Sequence, residues 1–200
     1  MEPMEVLRYP DEVLRKPCRE LSKDELGCGE LNGRRISDLV AHMILTMLAK
    51  DGVGLAAPQI GIPVRLFVAR LTSGENSLAL LNPVIKDRSG LQSGFEGCLS
   101  LPGVSASVER ADQVIIEGIN PMGEYQMHTF DGIEARIVQH EVDHLDGVVF
   151  LQRTSDEEYR KLMKNIRSIM HPPIPPPTRK PSWANPKKRR STTHRMGSSF

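Results

Sequence analysis

The segment that most limits what this chain can fold into is QHEVDHLDG, residues 139–147, which holds His140, Glu141 and His144 in an H-E-x-x-H arrangement. Residues four apart on a helix lie one turn above each other. Both imidazoles can therefore reach one cation about 2 Å away, while the adjacent Glu can act on a water without being a ligand. Ile133 and Ile137 fall on the same helical face, and an apolar face turns inward. Three ionisable groups carried inward with it are costly unless something compensates them, and a metal ion does so. The competing readings are a solvated helix face and a pair of hydrogen-bonded core histidines.

The charge distribution separates a body from an appendage. Residues 1–158 carry 15 basic against 25 acidic side chains, a net −10, and residues 159–200 carry 11 basic and none acidic. Seven of the fifteen prolines lie beyond His171, in PPIPPP and around PKKRRSTTHR. Such a composition neither builds a helix nor buries a core, so residues 171–200 are expected to be a disordered or extended tail and residues 1–170 the folded domain. No apolar run approaches the length of a membrane span, and the first residues, MEPMEVLRYPDEVLRK, lack a signal-peptide pattern. A soluble cytoplasmic protein is expected. Cys18, Cys28 and Cys98 are odd in number and match no disulfide framework, which agrees with a reducing compartment and allows a thiolate ligand.

Within the body, Leu39, Val40, Met43, Ile44, Met47 and Leu48 keep helical spacing, and Gly52 is read as the stop of this N-terminal helix. From Val64 to about Phe130 the pattern becomes short β-branched or apolar runs (VRLFVA, LALLNPVI, VIIEGI, YQMHTF) separated by turn residues. Asp131 with Glu134 is read as a capping box opening the helix of His140, which Gly147 ends. A C-terminal helix begins at Ser155, with an apolar stripe from Tyr159 to Met170. Strands with segregated helices predict an α+β fold, mainly antiparallel sheets packed around the central metal-binding helix.

A third ligand is the open question. The position six residues after His144 is Phe150, which excludes the metzincin pattern, and Glu157 and Glu158 are poorly placed for a gluzincin. Cys98 in EGCLSLPG, residues 96–103, is a better candidate, in a strand-like segment behind the small Gly97. QHEVDHLDG, EGCLSLPG and DGVGLAAPQIG (residues 51–61), in that order, resemble the three signature segments of peptide deformylase. LRYPDEVLRKPC, LLNPVI and VERADQVIIEGINPMGE extend the likeness to about residues 5–165. The tail has no counterpart, and Glu134 and Arg136 stand at positions where members differ.

The resemblance implies hydrolytic removal of the formyl group from N-terminal formyl-methionine of new polypeptides, releasing formate. Cys98, His140 and His144 would hold the metal and leave one position open for water, as hydrolytic metal sites do. Glu141 would take the water's proton and hand it to the leaving amine. Gln59 and the backbone N–H of Leu99 would donate to the developing oxyanion. Gly54 would receive the substrate backbone. Val53, Ile133 and Ile137 read as core residues, those nearest the metal also walling the pocket for the methionine side chain. His42, His128, His171 and His194 are read as solvated or structural. The family implies Fe²⁺, with Zn²⁺, Ni²⁺ or Co²⁺ compatible with the same donors. The expected partners are N-formyl-Met peptides and nascent chains, with ribosome or RNA contact through the basic tail and C-terminal helix, and no membrane. A zinc peptidase, and a nucleic-acid-binding module with a structural metal, are the other classes. The latter would need neither Glu141 nor Gln59.

Overall fold

The computed structural model describes residues 2–72 and 77–170. Residues 171–200, expected to form the tail, lie outside the described residues. In chain order the elements are α1 (Lys23–Cys28), β1 (Glu30–Leu31), β2 (Arg34–Arg35), α2 (Ile36–Ala49), β3 (Gly54–Ala56), β4 (Leu66–Ala69), β5 (Leu78–Ser89), β6 (Gln92–Cys98), β7 (Leu101–Arg110), β8 (Gln113–Ile119), β9 (Tyr125–Asp131), α3 (Gly132–Leu145) and α4 (Asp156–Met170). β3-β4-β5-β8-β9 form one antiparallel sheet, and β6 and β7 form a second. The expected α+β class with antiparallel sheets is what the chain adopts.

Every residue of β4 is buried, which a strand achieves only when both faces of its sheet are covered. Alternation along the strand divides the work. Leu66 and Val68 join Leu55 and Leu81 against Leu39, Met43 and Met47 of α2. Phe67 and Ala69 join Leu80, Ile116 and Phe130 against Ala135, Val138, Val142 and Leu145 of α3. The larger sheet therefore lies between α2 and α3. Full burial of each such Leu or Phe contributes about 1.5–3 kcal/mol, enough to hold α3 inward despite its charged residues. A third cluster joins Leu101, Ala106 and Val108 of β7 to Phe150, Leu151 and, on α4, Leu162 and Ile166. Among the described residues no helix is long and apolar enough to cross a membrane.

Two helix ends differ from expectation. α2 stops where the periodicity predicts, but the left-handed residue is Asp51, at φ 53°, not Gly52. Gly52 is instead a point of close approach, where a Cβ would stand 2.9 Å from Leu99 Cδ1 and 3.3 Å from the Met47 carbonyl oxygen. Asp131 precedes α3 but its side chain makes no capping bond. Its Oδ1 accepts from Gln113 Nε2 at 2.8 Å, and Glu134 Oε1 accepts from Thr72 Oγ1 at 2.7 Å, so tertiary donors win over the local box. Gly147 does take the left-handed conformation expected after α3, at φ 72°. At the start of α4 the Ser155 hydroxyl accepts from the Glu158 N–H at 3.3 Å.

Candidate metal centre

The centre is assembled from α3 and the end of β6. His140, Glu141 and His144 are all buried on α3. The register of β6 against β7 slips between Gly97 and Cys98, so that Cys98 pairs with Leu101. Such a slip re-aims a side chain, and here Cys98 Sγ comes to 3.2 Å from His144 Nε2. One donor atom from each of Cys98, His140 and His144 lies within 4.8 Å of the others. A tetrahedral cation with bonds of about 2.3 Å to sulfur and 2.0–2.1 Å to nitrogen holds those atoms about 3.5 Å apart. The donor set fits such an ion with little movement. Glu141 Oε2 adds a buried polar atom without a hydrogen-bond partner among the described residues.

The electrostatics favour the ligand forms. Burial pushes the Cys98 thiol up, but the His144 and His140 imidazoles beside it pull it well below the ordinary thiol value, toward the thiolate that binds metals. Burial raises the Glu141 carboxyl to about 7, against the opposing pull of His140 and His144. His140 Nδ1 lies 2.9 Å from Glu96 Oε2, which leaves Nε2 for the centre. Glu96 is itself fixed: Arg110 donates to both of its oxygens, at 2.8 and 2.9 Å, and Arg136 donates to Oε1 at 2.8 Å. Burial would raise the Glu96 carboxyl, yet the bonds from Arg110 and His140 hold it well below the usual carboxylate range. Asp143 completes the cluster, accepting from Arg110 Nη1 at 2.5 Å and from Arg153 Nη2 at 2.6 Å.

The remaining sequence-predicted residues surround the same place. Gln59 is 2% exposed in the short 3-10 turn Ala57–Ile60. Its Oε1 accepts from the Ala56 N–H at 2.8 Å, so its NH₂ is turned toward Cys98 Sγ, 3.4 Å away, and Ser100 Oγ, 3.2 Å away. A cleft of about 530 Å³ is lined by Val53, Gly54, Gln59, Leu99, Ile133 and Ile137 together with Cys98, His140 and Glu141. A Cβ on Gly54 would collide with the Glu141 carboxylate. Ile137 is buried as expected, but Val53 and Ile133 are not core residues: they are 46% and 55% exposed, at the mouth of the cleft. β3 pairs only with β4, and β6 only with β7, among the described residues. The cleft thus has an open strand edge in each of two walls.

Glu96, Arg110 and Arg136 received no role from sequence, and Arg136 is buried at 4% exposure. Signals for Glu96, Arg136 and Asp143 lie in the sequence, though none does for Arg110. Strand alternation puts Glu96 on the side of Cys98, and Arg136 and Asp143 lie four before and three after His140 on its helix face. Phe95, which also lines the cleft, was missed as well. Away from the centre, His42 Nδ1 lies 2.9 Å from Asp38 O, and His128 stacks on Phe130. Cys18 is buried and Cys28 exposed, and neither joins the ligand group.

Comparison with known proteins identifies the family and the fold. The sequence profile of the polypeptide deformylase family matches residues 3–160. The peptide deformylase of Syntrophomonas wolfei is 40% identical over 162 residues, which are 81% of this chain and 100% of that protein. The crystal structure of the Thermus thermophilus peptide deformylase superposes with a TM-score of 0.74 at 37% identity, over 82% of this chain and 93% of that one. A class I type b peptide deformylase from Acinetobacter baumannii, solved with Met-Ala-Ser bound, gives 0.69 at 34% identity, over 76% and 99%. With the family profile spanning most of the chain and relatives matched along their whole length, the chain belongs to the polypeptide deformylase family.

Proposed function

We propose that this chain hydrolyses the formyl group from the N-terminal formyl-methionine of newly made polypeptides, with Cys98, His140 and His144 holding one divalent cation and Glu141 moving the proton. The observation that carries this reading is the convergence of three ligand atoms within 4.8 Å, two of them on Cys98 and His140, which line the same cleft as Glu141 and Gln59. The cation, when bound, lowers the pKa of water and polarises the formyl oxygen. Glu141 accepts the proton as water oxygen bonds to the formyl carbon. It returns that proton to the nitrogen as the C–N bond breaks, releasing formate and a free amine. The Gln59 NH₂, aimed by the Ala56 N–H that donates to Gln59 Oε1, and the Leu99 N–H donate to the oxyanion. The open edges at Gly54 and along β6 receive an extended peptide, and Val53, Ile133 and Ile137 wall the methionine side chain. That a relative was solved with Met-Ala-Ser bound supports this use of the cleft.

The resident ion in this reading is Fe²⁺, replaceable by Zn²⁺, Ni²⁺ or Co²⁺ because thiolate and imidazole donors accept all four. The enzyme works in the cytoplasm, where its substrates emerge. Residues 1–170 form the catalytic domain, and the basic residues 171–200 with α4 are an electrostatic tether to ribosomal RNA. Formate release from formyl-Met-Ala-Ser, with metal analysis of the same sample, tests the central claim; a stoichiometric metal with no formate released refutes it. Truncation after Met170 should leave that turnover intact while weakening ribosome association at low salt and flattening its salt dependence. Equal binding with the same salt slope refutes the tether.

A further inference from the structure

The mouth of the cleft carries apolar surface that the packing of the fold does not use. Phe95 is 80% exposed, yet it lines the same cleft as Cys98 and Glu141. Its exposure follows from strand alternation. Along β6, Ser93, Phe95 and Gly97 are exposed, whereas Glu96 is buried among the arginines. Gly97 bears no side chain, so the strand is left uncovered between Phe95 and Cys98.

Distance places Phe95 beyond the reacting group. At about 3.3 Å per residue it stands about 10 Å along the strand from Cys98. An extended peptide whose formyl carbon lies at the centre has the Cα atoms of its second and third residues about 6 and 10 Å away. The charges of the cleft do not compete for these residues. Of the four charged side chains that line it, Glu96 and Arg136 are paired with each other and buried, and Glu141 is buried. Only Asp51 is exposed.

We infer that Phe95 is a specificity-determining residue, the contact that selects a large apolar side chain among the residues following formyl-methionine, at the second or third position. This rests on the deformylase reading above. An aromatic side chain laid against Phe95 is withdrawn from water and gains a ring contact, whereas alanine or serine there gains little.

The test compares formyl-Met-Ala-Ser, formyl-Met-Phe-Ser and formyl-Met-Ala-Phe on the metal-loaded full chain, its Phe95→Ser variant and its Phe95→Leu variant. The wild type should prefer at least one aromatic peptide over formyl-Met-Ala-Ser by roughly tenfold in kcat/KM. Phe95→Ser should reduce that preference below about twofold, chiefly through KM, and Phe95→Leu, which keeps an apolar contact, should retain part of it. All three peptides within about twofold in the wild type, or a preference that survives Phe95→Ser, overturns the inference. Formate from none of the three in the metal-loaded wild type overturns the deformylase reading, and the subsite with it.

Discussion

Gly54→Ala tests the placement of Glu141 at a position that also lines the cleft. Gly54 has no left-handed φ, so an alanine there strains no backbone; the added carbon is the whole perturbation. It would stand 2.6 Å from Glu141 Cδ and 3.0 Å from Cγ, whereas non-bonded carbons pack at about 3.5–4.0 Å. The carboxylate must therefore retreat by about 1 Å. A displacement of that size at a reacting group costs about a hundredfold in rate, or about 2.7 kcal/mol of transition-state stabilisation. The assay is formate release from formyl-Met-Ala-Ser, with kcat and KM resolved, alongside metal content. Metal content should stay stoichiometric, because Gly54 offers no ligand; displacement of Glu141 should lower kcat, and crowding of the peptide at the same edge should show separately as a rise in KM. Gly27→Ala is the control: a Cβ there meets nothing within 4 Å, on α1 and outside the cleft, and should leave activity unchanged. If Gly54→Ala keeps more than about a third of wild-type kcat, the close approach of Gly54 to Glu141 is not what positions the base.

Glu141→Ala should retain its metal while losing activity by more than the ~10²- to 10⁴-fold typical of a general acid–base group, whereas Cys98→Ala should lose tight metal binding. Near-normal turnover in the first, or full metal content in the second, would reassign those roles. Glu96→Ala removes the carboxylate that Arg110 and Arg136 share in a buried cluster, leaving Arg110 with Asp143, and should cost about 3 kcal/mol in urea unfolding. Since Glu96 is held well below the usual carboxylate range, its contribution is full above about pH 5 and is lost as acid protonates it, so the variant should also show a shallower acid limb. A cost under about 1 kcal/mol would mean the arginines find other partners. Burial raises the Cys18 thiol from 9.0 to about 11, so the folded chain holds that proton more tightly than the unfolded one. Its contribution is complete below pH 9 and lost between pH 9 and 11, and Cys18→Ala should remove that alkaline slope; identical slopes in both proteins would contradict it.

What the sequence determined by itself was the chemistry that is local in the chain. The spacing of His140, Glu141 and His144 makes one helix face into a ligand set, helical periodicity marks α2 and α3, and short apolar or β-branched runs mark β4 and β8, because those signals live within a turn or two of backbone. Short elements escaped for the converse reason. α1 and the β1–β2 hairpin are too brief for periodicity, although Ser22 and Glu25 form a full capping box. Only the tertiary structure decided which polar residues meet. Asp131 and Glu134 are spaced for a cap, yet each finds a distant donor in Gln113 and Thr72. Glu96, Arg110, Arg136 and Asp143 lie up to 47 positions apart in sequence and nonetheless share one buried cluster behind His140. Val53 and Ile133 show the same limit from the apolar side. Hydrophobicity marks them as core, but a wall of an open cleft is built from the same side chains as a packed interior, and only the arrangement of β3, β6 and α3 leaves that space between them.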